Sequence, residues 1–581
     1  MAVLASFLRA RCSNWLAGGG LLVLTLSAGL ARPACAAQYN VGTGTGCTHS
    51  NLSDALIAAA GNPGLDTIHL LSGSTHQGQF LVAGPLTIEG GYASCTATTP
   101  TGFSSVVGDN ANRALFVLVS NGAVVTLSRL QIHGGNVTGD GGGIYLTGQG
   151  SLLLSGTLVF SNTATGAGGG VYVNGASGLF VHLGGSSAIT ANSANRGGGL
   201  ACSGATEIQL DQAELVGNNT ATTDGGGVYL ASSCALYSLA GGSFAGIAGN
   251  IAGNRGGGVY AETQANLNLD GSSRGLSALT GNQAVDGAGA YLTGVGTILR
   301  SYGGSITANT ASSHGGGLFV DNGAGAYLTT GLNAFNGCTD MVRCSLLSAN
   351  QAAIGGGLFV DHVSGVTLQA TFVEHNTATL FSSVIGVAGG SSATFDSSVV
   401  AQNSGNEPFS ADGTNTHLTL GNVTVAANTA IGPGLLGVGS GVTGIALFSS
   451  VFAQSGALFS RFPANLIPIL DCLIADQAGF LATLPAQTVE RALLVADPRL
   501  SDVAHGNYHL LSDSPAIDYC DTSQWNNDNG DMEVEARTVD DPRYPNQMPG
   551  GIRDLGADEF QPLFANGFES GDTSGWALTV P

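Results

Sequence analysis

The stretch NTATGAGGGVYV, residues 162–173, places three consecutive glycines directly before a short β-branched and aromatic run. The same element recurs through the middle of the chain, and successive copies begin about 28 residues apart, except the last, which follows after 40. The copies begin at Gly141, Gly168, Gly197, Gly225, Gly256, Gly287, Gly315 and Gly355. A repeat of this length is typical of proteins built from stacked structural units.

An asparagine precedes most of these glycines by five or six residues, and an aliphatic residue usually stands three places before the asparagine. If the repeats stack, equivalent side chains lie above one another, and their amides can hydrogen-bond up the stack. Glycine gives the positive φ that a sharp corner needs, and asparagine tolerates the left-handed region. We therefore expect a structural asparagine ladder, formed by Asn162, Asn192, Asn219, Asn250, Asn282, Asn309 and Asn350.

Each unit divides into three short apolar runs separated by Gly, Ser, Asn and Ala, and no segment of the array has the length and periodicity of an amphipathic helix. Such runs predict short strands. A unit this small cannot bury its own apolar residues, so the units must stack. The sequence predicts an all-β, right-handed parallel β-helix with one coil per repeat, an N-terminal cap and a C-terminal capping segment. Leucine-rich repeats and the calcium-binding nonapeptide roll do not fit, because regularly spaced leucines and repeated aspartates are missing.

The GGG[IVL] and [ILV]xxN elements resemble the repeats of polymorphic outer-membrane proteins over roughly residues 136–380, with weaker copies to Asn428. Upstream, residues 47–70 are similar to the CSLREA-type segment of exported bacterial β-helix proteins, but they read NLSDA at the motif core. The alanine-rich part of this segment predicts a short helix that caps the first coil, with Asp54 early in it to suit the helix dipole.

Near the other end, SPAID at residues 514–518 and GADE at residues 556–559 resemble the choice-of-anchor Q domain of bacterial surface proteins. The resemblance implies a polar cap for the open end of the stack. The remaining residues look like a short C-terminal tail of exported Gram-negative proteins, which implies sorting or anchoring.

These observations divide the chain into five regions. They are a signal peptide (1–37), an N-terminal cap with the first coils (38–130), β-helix repeats (131–450), the last coils with the choice-of-anchor Q-like region (451–561) and a C-terminal tail (562–581).

The first residues predict export, because Arg9 and Arg11 precede an apolar core and a small-residue cleavage site near Ala36 or Ala37. An even number of cysteines remains after cleavage, which suits disulfides in an oxidising compartment. Sequential pairing is expected, and CTDMVRC, residues 338–344, is the clearest case because it would clamp a loop in the stretched repeat. The candidates are Cys47, Cys95, Cys202, Cys234, Cys338, Cys344, Cys472 and Cys520.

The formal charge is -22, and all 16 basic residues are arginines scattered along the chain. A chain without a basic patch is a poor partner for nucleic acid. The apolar segment around Pro468 carries Asp471 and Asp476, which are costly in lipid, so no membrane span is expected. We expect a monomer that is secreted or lies on the outer membrane or cell surface of a Gram-negative bacterium, with glycan or protein partners.

No catalytic residues or cofactor are predicted. The signatures of polygalacturonase-like enzymes are missing, and His314 reads as a solvated loop residue. Asp321 and Asp361 follow GGGLFV in two units and are expected on one face. An acidic cluster with Asp528, Asp531 and Glu533 offers oxygen ligands for Ca²⁺, although a solvated turn fits the pattern better. The sequence thus favours an adhesin-like binding scaffold, and a polysaccharide-active lyase or glycoside hydrolase is the alternative.

Overall fold

Apolar and polar residues alternate within the short runs, and in the computed structural model these runs are strands whose apolar side chains face a common axis. In one coil, Val171, Val181 and Ile189 come from three successive strands and are each fully buried. The same arrangement repeats over about 15 turns of a parallel β-solenoid. The predicted all-β, parallel β-helix is therefore confirmed.

The structure describes residues 36–560 apart from short internal gaps, and the predicted signal peptide and C-terminal tail fall almost wholly outside it. The gaps are residues 176–177, 212–214, 240–244, 271–276, 331–344, 381–382, 431, 433, 455, 477–483, 486–487, 521–524, 526–529, 533–535, 542–545 and 547–551.

Each coil passes through three lateral sheets, called face 1, face 2 and face 3 in chain order, and through a two- to five-residue corner strand before the next glycines. Face 1 consists of Phe80–Ala83, the first halves of Leu115–Ser128 and Ile144–Ser155, Val171–Gly175, Leu200–Ser203, Val228–Ala231, Val259–Glu262, Ala290–Thr293, Leu318–Asp321, Leu358–Val360, Ser383–Val387, Glu407–Ala411, Gly434–Val438 and Ala457–Arg461. Face 2 consists of Gln38–Val41, Asp66–Leu71, Leu86–Tyr92, the second halves of Leu115–Ser128 and Ile144–Ser155, Leu179–Gly184, Thr206–Leu210, Ala235–Leu239, Asn266–Asp270, Ile298–Tyr302, Gly325–Thr329, Gly365–Gln369, Ser392–Asp396, His417–Gly421 and the first parts of Gly444–Ala453, Ile469–Ala475 and Val489–Val495.

Face 3 consists of Thr75–Gln77, Ser104–Val107, Leu130–His133, Leu158–Phe160, Ala188–Thr190, Leu215–Gly217, Ala245–Ala248, Ser277–Thr280, Ser305–Thr307, Leu346–Ser348, Phe372–Glu374, Val399–Ala401, Thr424–Ala426 and the last parts of the three long strands that end face 2. The corner strands are Asn136–Val137, Thr163–Ala164, Ser193–Arg196, Thr220–Asp224, Ile251–Ala252, Gln283–Ala284, Thr310–Ala311, Gln351–Ala352, Thr377–Ala378, Ser404–Gly405 and Thr429–Ala430. All strands of the solenoid pair in parallel with the equivalent strand of the next coil, as Tyr145 pairs with Tyr172.

The asparagines form a continuous ladder inside the corner between face 3 and face 1. The side-chain oxygen of Asn282 accepts hydrogen bonds from the backbone N–H and side-chain amide of Asn250, at 2.9 and 3.0 Å. Its own amide donates to Asn309 of the next coil and to the carbonyl of Ile247. All seven predicted asparagines lie in this ladder, which continues through Asn376, Asn403 and Asn428 and ends at Gln454.

The first and third glycines of each repeat serve different purposes. The first has a left-handed backbone, with φ +68° at Gly168. The third leaves room for the ladder, because a Cβ on Gly170 would lie 2.8 Å from the amide nitrogen of Asn192. The asparagines themselves do not take the left-handed conformation expected of them; the residue before each does, such as Ala191 with φ 54°. The repeat therefore needs asparagine for the hydrogen bonds of its side chain and not for its backbone conformation.

A helix, α1 (Leu52–Ala60), covers the N-terminal end, as predicted. Asn51 caps it by accepting a hydrogen bond from the backbone N–H of Asp54 at 2.9 Å. Leu52, Ala55 and Leu56 are buried against the first coils, so the helix closes the end of the core.

The described residues after the last coil, within 496–560, are called the C-terminal region; they lie along the side of the solenoid. Within this region, Leu500–Asp502 and Asn507–Leu510 form an antiparallel pair joined by the 3₁₀ turn Val503–His505. Tyr508 and Met532 pack against Phe372 and Val399 on the outside of face 3. The described part of this region therefore covers a lateral apolar stripe, a role that the expected end cap did not include.

The described cysteines pair sequentially. Disulfides join Cys47 to Cys95, Cys202 to Cys234 and Cys472 to Cys520. The last of these fastens the C-terminal region to the corner of the final coils. The expected Cys338–Cys344 bridge lies outside the described residues.

Candidate binding face

Each of the three lateral faces could bind a partner, but they differ in how many of their outward side chains remain accessible. The last coils of face 3 are covered by residues of the C-terminal region. Face 1 and face 2 both carry polar and aromatic side chains that point away from the core, so each is considered in turn.

On face 1 the central outward position holds a ladder of stacked aromatic rings. The rings of Tyr229, Tyr260 and Tyr291 lie 5.5 Å apart and almost parallel. The ring faces of these tyrosines are therefore covered by neighbouring rings. The guanidinium groups of Arg196 and Arg255 lie over the rings of Tyr229 and Tyr291. Phe319 and Phe359 continue this ladder, whereas Phe116, Tyr145 and Tyr172 form a second stack at the same position, separated from the first by Ala201.

The hydroxyls of this ladder are also occupied. Tyr229 and Tyr260 both donate to Glu262, and Tyr291 donates to Asp321 at 2.5 Å. Burial, followed by the nearby carboxylate of Glu262, raises the pKa of Tyr260 to about 12, and burial with a hydrogen bond to the carboxylate raises that of Tyr291 further. These three phenols stay protonated and internally paired, so this part of face 1 acts mainly as a rigid wall.

Asp321 and Asp361 do lie on one face, at the end of consecutive face-1 strands. Both contact Nδ1 of His362, at 2.8 Å from Asp321 and 3.3 Å from Asp361. The hydrogen bond that His362 donates to Asp321 raises the pKa of this imidazole, which is largely exposed. Asp321 also accepts from Tyr291 and Asn322, so its oxygens are already engaged.

His314 was expected to be a solvated loop residue, but its side chain is partly buried and has partners. Its Nδ1 is 3.0 Å from Asp286, and its ring packs against Phe319 and Phe359. The loop around His314 is polar, which suggested an exposed side chain. The adjacent aromatic ladder, however, gives the imidazole an apolar surface to pack against.

Face 2 presents a different surface, which we call the face-2 row. Six outward side chains from consecutive coils lie in register along it, and all are half-buried. They are His182, Gln209, Tyr237, Asn268, Arg300 and Tyr327. Threonines, beginning with Thr367, continue the line toward the C-terminus.

The ends of the face-2 row are tied to neighbours, whereas its centre is not. His182 and Gln209 both contact Asp211, and Tyr327 donates to Gln369 at 2.7 Å. Among the residues that the structure describes, Tyr237 and Asn268 have no hydrogen-bond, ring or ionic partner on their side chains. The sequence did not single them out, although the alternation in ALYSL and NLNLD marks both as outward positions.

No cofactor site emerges from the described residues, among which no group of three His, Cys, Asp or Glu side chains could hold a metal ion. Of the three acidic residues considered for Ca²⁺, Asp531 is fully buried, and Asp528 and Glu533 lie outside the described residues. Asp531 therefore does not lie in the solvated turn that the sequence favoured.

Across the described part of the chain, no helix is both long and apolar enough to cross a membrane. The disulfides are consistent with an extracellular or periplasmic protein. Searches with the sequence found no matching family model and no matching curated protein.

Proposed function

We propose that this protein is an exported, non-enzymatic binding scaffold, displayed on or shed from a Gram-negative cell surface, with face 2 as its adhesin-like surface for glycan or protein partners. The observation that carries the proposal is the face-2 row, because it presents polar and aromatic groups at the regular spacing of the coils. The predicted signal peptide and the disulfides support export. The likeness to polymorphic outer-membrane repeats and to the choice-of-anchor Q domain supports a surface location.

The test uses the mature chain, residues 38–581, labelled and applied to a glycan array and to intact cells. We expect saturable binding that a Gln209→Ala/Arg300→Ala variant weakens at least tenfold, because two side chains of the row are then missing. A Thr280→Ala/Thr307→Ala variant on face 3 serves as the control and should bind like the parent, since that pair only hydrogen-bonds to itself. Equal binding by both variants, or no saturable binding at all, would refute the proposal.

A polysaccharide-active enzyme is the second candidate, favoured by the meeting of Asp321 and Asp361 at His362. Glycoside hydrolysis uses two carboxyl groups, one of them protonated to act as an acid. Here both carboxylates face the same imidazole, at 2.8 and 3.3 Å from its Nδ1, and the oxygens of Asp321 are also engaged by Tyr291 and Asn322. This arrangement suits an ion-paired corner better than an acid–base pair.

We expect no product when the purified protein is incubated with pectin, alginate or other uronic-acid polymers and reducing ends and unsaturated products are measured. Turnover that disappears in Asp321→Asn or Asp361→Asn, with thermal unfolding unchanged, would replace the binding-scaffold proposal by the enzymatic one.

A further inference from the structure

We infer that the face-2 row binds an extended neutral glycan, laid parallel to the solenoid axis and centred on Tyr237 and Asn268; this rests on the proposed function and names its ligand. The inference begins with spacing. Equivalent residues of neighbouring coils are separated by the distance between paired strands, about 4.8 Å. That distance is comparable to one sugar unit of an extended chain, so each coil can contact one unit.

The second step is the availability of polar groups. A half-buried phenol or amide without a protein partner gains most from a ligand, because its hydrogen-bonding capacity is not used by the fold. Tyr237 and Asn268 meet this condition on adjacent coils, and they pair in register on neighbouring strands. On face 1, by contrast, the hydroxyls of Tyr229, Tyr260 and Tyr291 are bound to Glu262 and Asp321.

The third step is charge. A uronic-acid or sulfated polymer would need several cations, and the row has only Arg300, whose guanidinium donates to Asn266 at 3.3 Å, and His182, which is paired with Asp211. The chain as a whole carries a formal charge of -22, which repels polyanions. A basic peptide would need carboxylates, and the row itself contains none. Phenol, amide and guanidinium groups together match the hydroxyls of a neutral sugar.

The experiment is calorimetric titration of the mature chain with cellohexaose, xylohexaose, mannohexaose and chitohexaose, with hexagalacturonate and hexalysine as charged comparators. We expect at least one neutral hexasaccharide to bind, more tightly than its trimer because more coils are engaged, and neither charged comparator to bind as well. Tyr237→Ala and Asn268→Ala should each weaken binding about tenfold, which corresponds to the loss of one hydrogen-bonding group.

Two matched variants separate the row from the rest of the molecule. Tyr172→Ala removes a half-buried tyrosine from face 1, and Asn254→Ala removes an exposed asparagine near a corner; both should bind like the parent. The inference is overturned if no neutral hexasaccharide binds, if a charged comparator binds better, or if the Tyr172 and Tyr237 variants lose affinity equally. In the first two cases, cell binding that still depends on Gln209 and Arg300 would leave the proposed function standing.

Discussion

Replacing Asn282 by alanine should lower the free energy of unfolding by about 2–5 kcal/mol, a large effect for one side chain. Asn282 is completely buried in the middle of the ladder. Without it, the backbone N–H of Asn250 and one side-chain amide hydrogen of Asn250 lose their acceptor, and neither can reach water because Asn250 is completely buried. A buried group left without a hydrogen bond costs about 1–3 kcal/mol, and two such groups arise from one substitution.

The measurement is denaturant unfolding of the mature chain, followed by circular dichroism and by hydrogen exchange of peptides from the neighbouring coils. Because coils contact only their neighbours, the loss of protection should be greatest in the coils around residues 250 and 309. Asn254→Ala is the control: its side chain is exposed and donates only to Asp224 at 3.1 Å, so we expect a change within about 0.5 kcal/mol. Equal destabilisation by the two variants would show that the ladder does not hold the coils together.

The ladder also shows how far the sequence leads. The period and the triple glycines are local signals, and they predicted the parallel stack, the corners and seven of the asparagines. Asn376 and Asn403 were missed because no triple glycine follows them, yet Val373 and Val400 stand three places ahead, as the repeat pattern requires. The aliphatic residue and the asparagine therefore define the rung, and the glycines define only the corner.

The candidate binding face could not be predicted in the same way. Whether an outward side chain is free depends on what stacks above and below it, and on residues distant in sequence. Tyr260 and Tyr237 look alike in sequence, but the first donates to Glu262 and the second has no partner among the described residues. The lateral docking of the C-terminal region was equally hidden, because Tyr508 reaches Phe372 across more than a hundred residues.

Raising the pH from 5 to 8 should loosen the C-terminal region while the solenoid remains folded. This region buries several carboxyl groups where it lies against face 3. Asp554 accepts hydrogen bonds from the backbone N–H groups of Asp518 and Phe560, and Glu559 accepts from those of Val539 and Asp554. Burial raises the pKa of Asp554 and of Glu559 well above the usual range, and raises that of Asp518 to about 6.

The surrounding charges do not cancel this effect. Asp518 and Asp558 add negative charge near Asp554. The guanidinium of Arg537 and the backbone N–H groups of Val539 and Asp554 lower the pKa of Glu559, but less than burial raises it. Arg537 itself donates to the carbonyls of Gly556 and Ala557. Asp541 donates its backbone N–H to Asp518, while its carboxylate adds further repulsion. The protonated acids are therefore the forms that the docked region favours.

The direction of the pH dependence follows from proton counting. With folded pKa values above the unfolded ones, the docked region binds more protons than the released region between about pH 4 and the folded pKa values. Its stabilisation is complete below about pH 4 and is lost as the pH rises through 6 and beyond. Each such proton contributes about 1.4 kcal/mol per pH unit within that window.

Trp525 offers a direct reading of docking, because its indole stacks on Phe448 at 5.3 Å and donates to Asp396 at 3.0 Å. In a Trp576→Phe background, its fluorescence should shift toward that of exposed tryptophan between pH 5 and 8, while circular dichroism stays constant. Asp554→Asn/Glu559→Gln imitates the protonated acids and should keep Trp525 docked at pH 8. A signal that does not change with pH in the parent, or that changes equally in the variant, would contradict this assignment.

Release would uncover the apolar stripe that includes Phe372, Val399 and Ala401, which the docked region now shields. The Cys472–Cys520 disulfide would keep the released region tethered near the last coils, so redocking on acidification should be fast and reversible. A Cys472→Ser/Cys520→Ser variant should therefore release the region at a lower pH than the parent. Without the disulfide, the undocked region has more conformational freedom and therefore a lower free energy. Closing a loop of 48 residues removes conformational entropy worth about 4 kcal/mol, and docking no longer benefits from it.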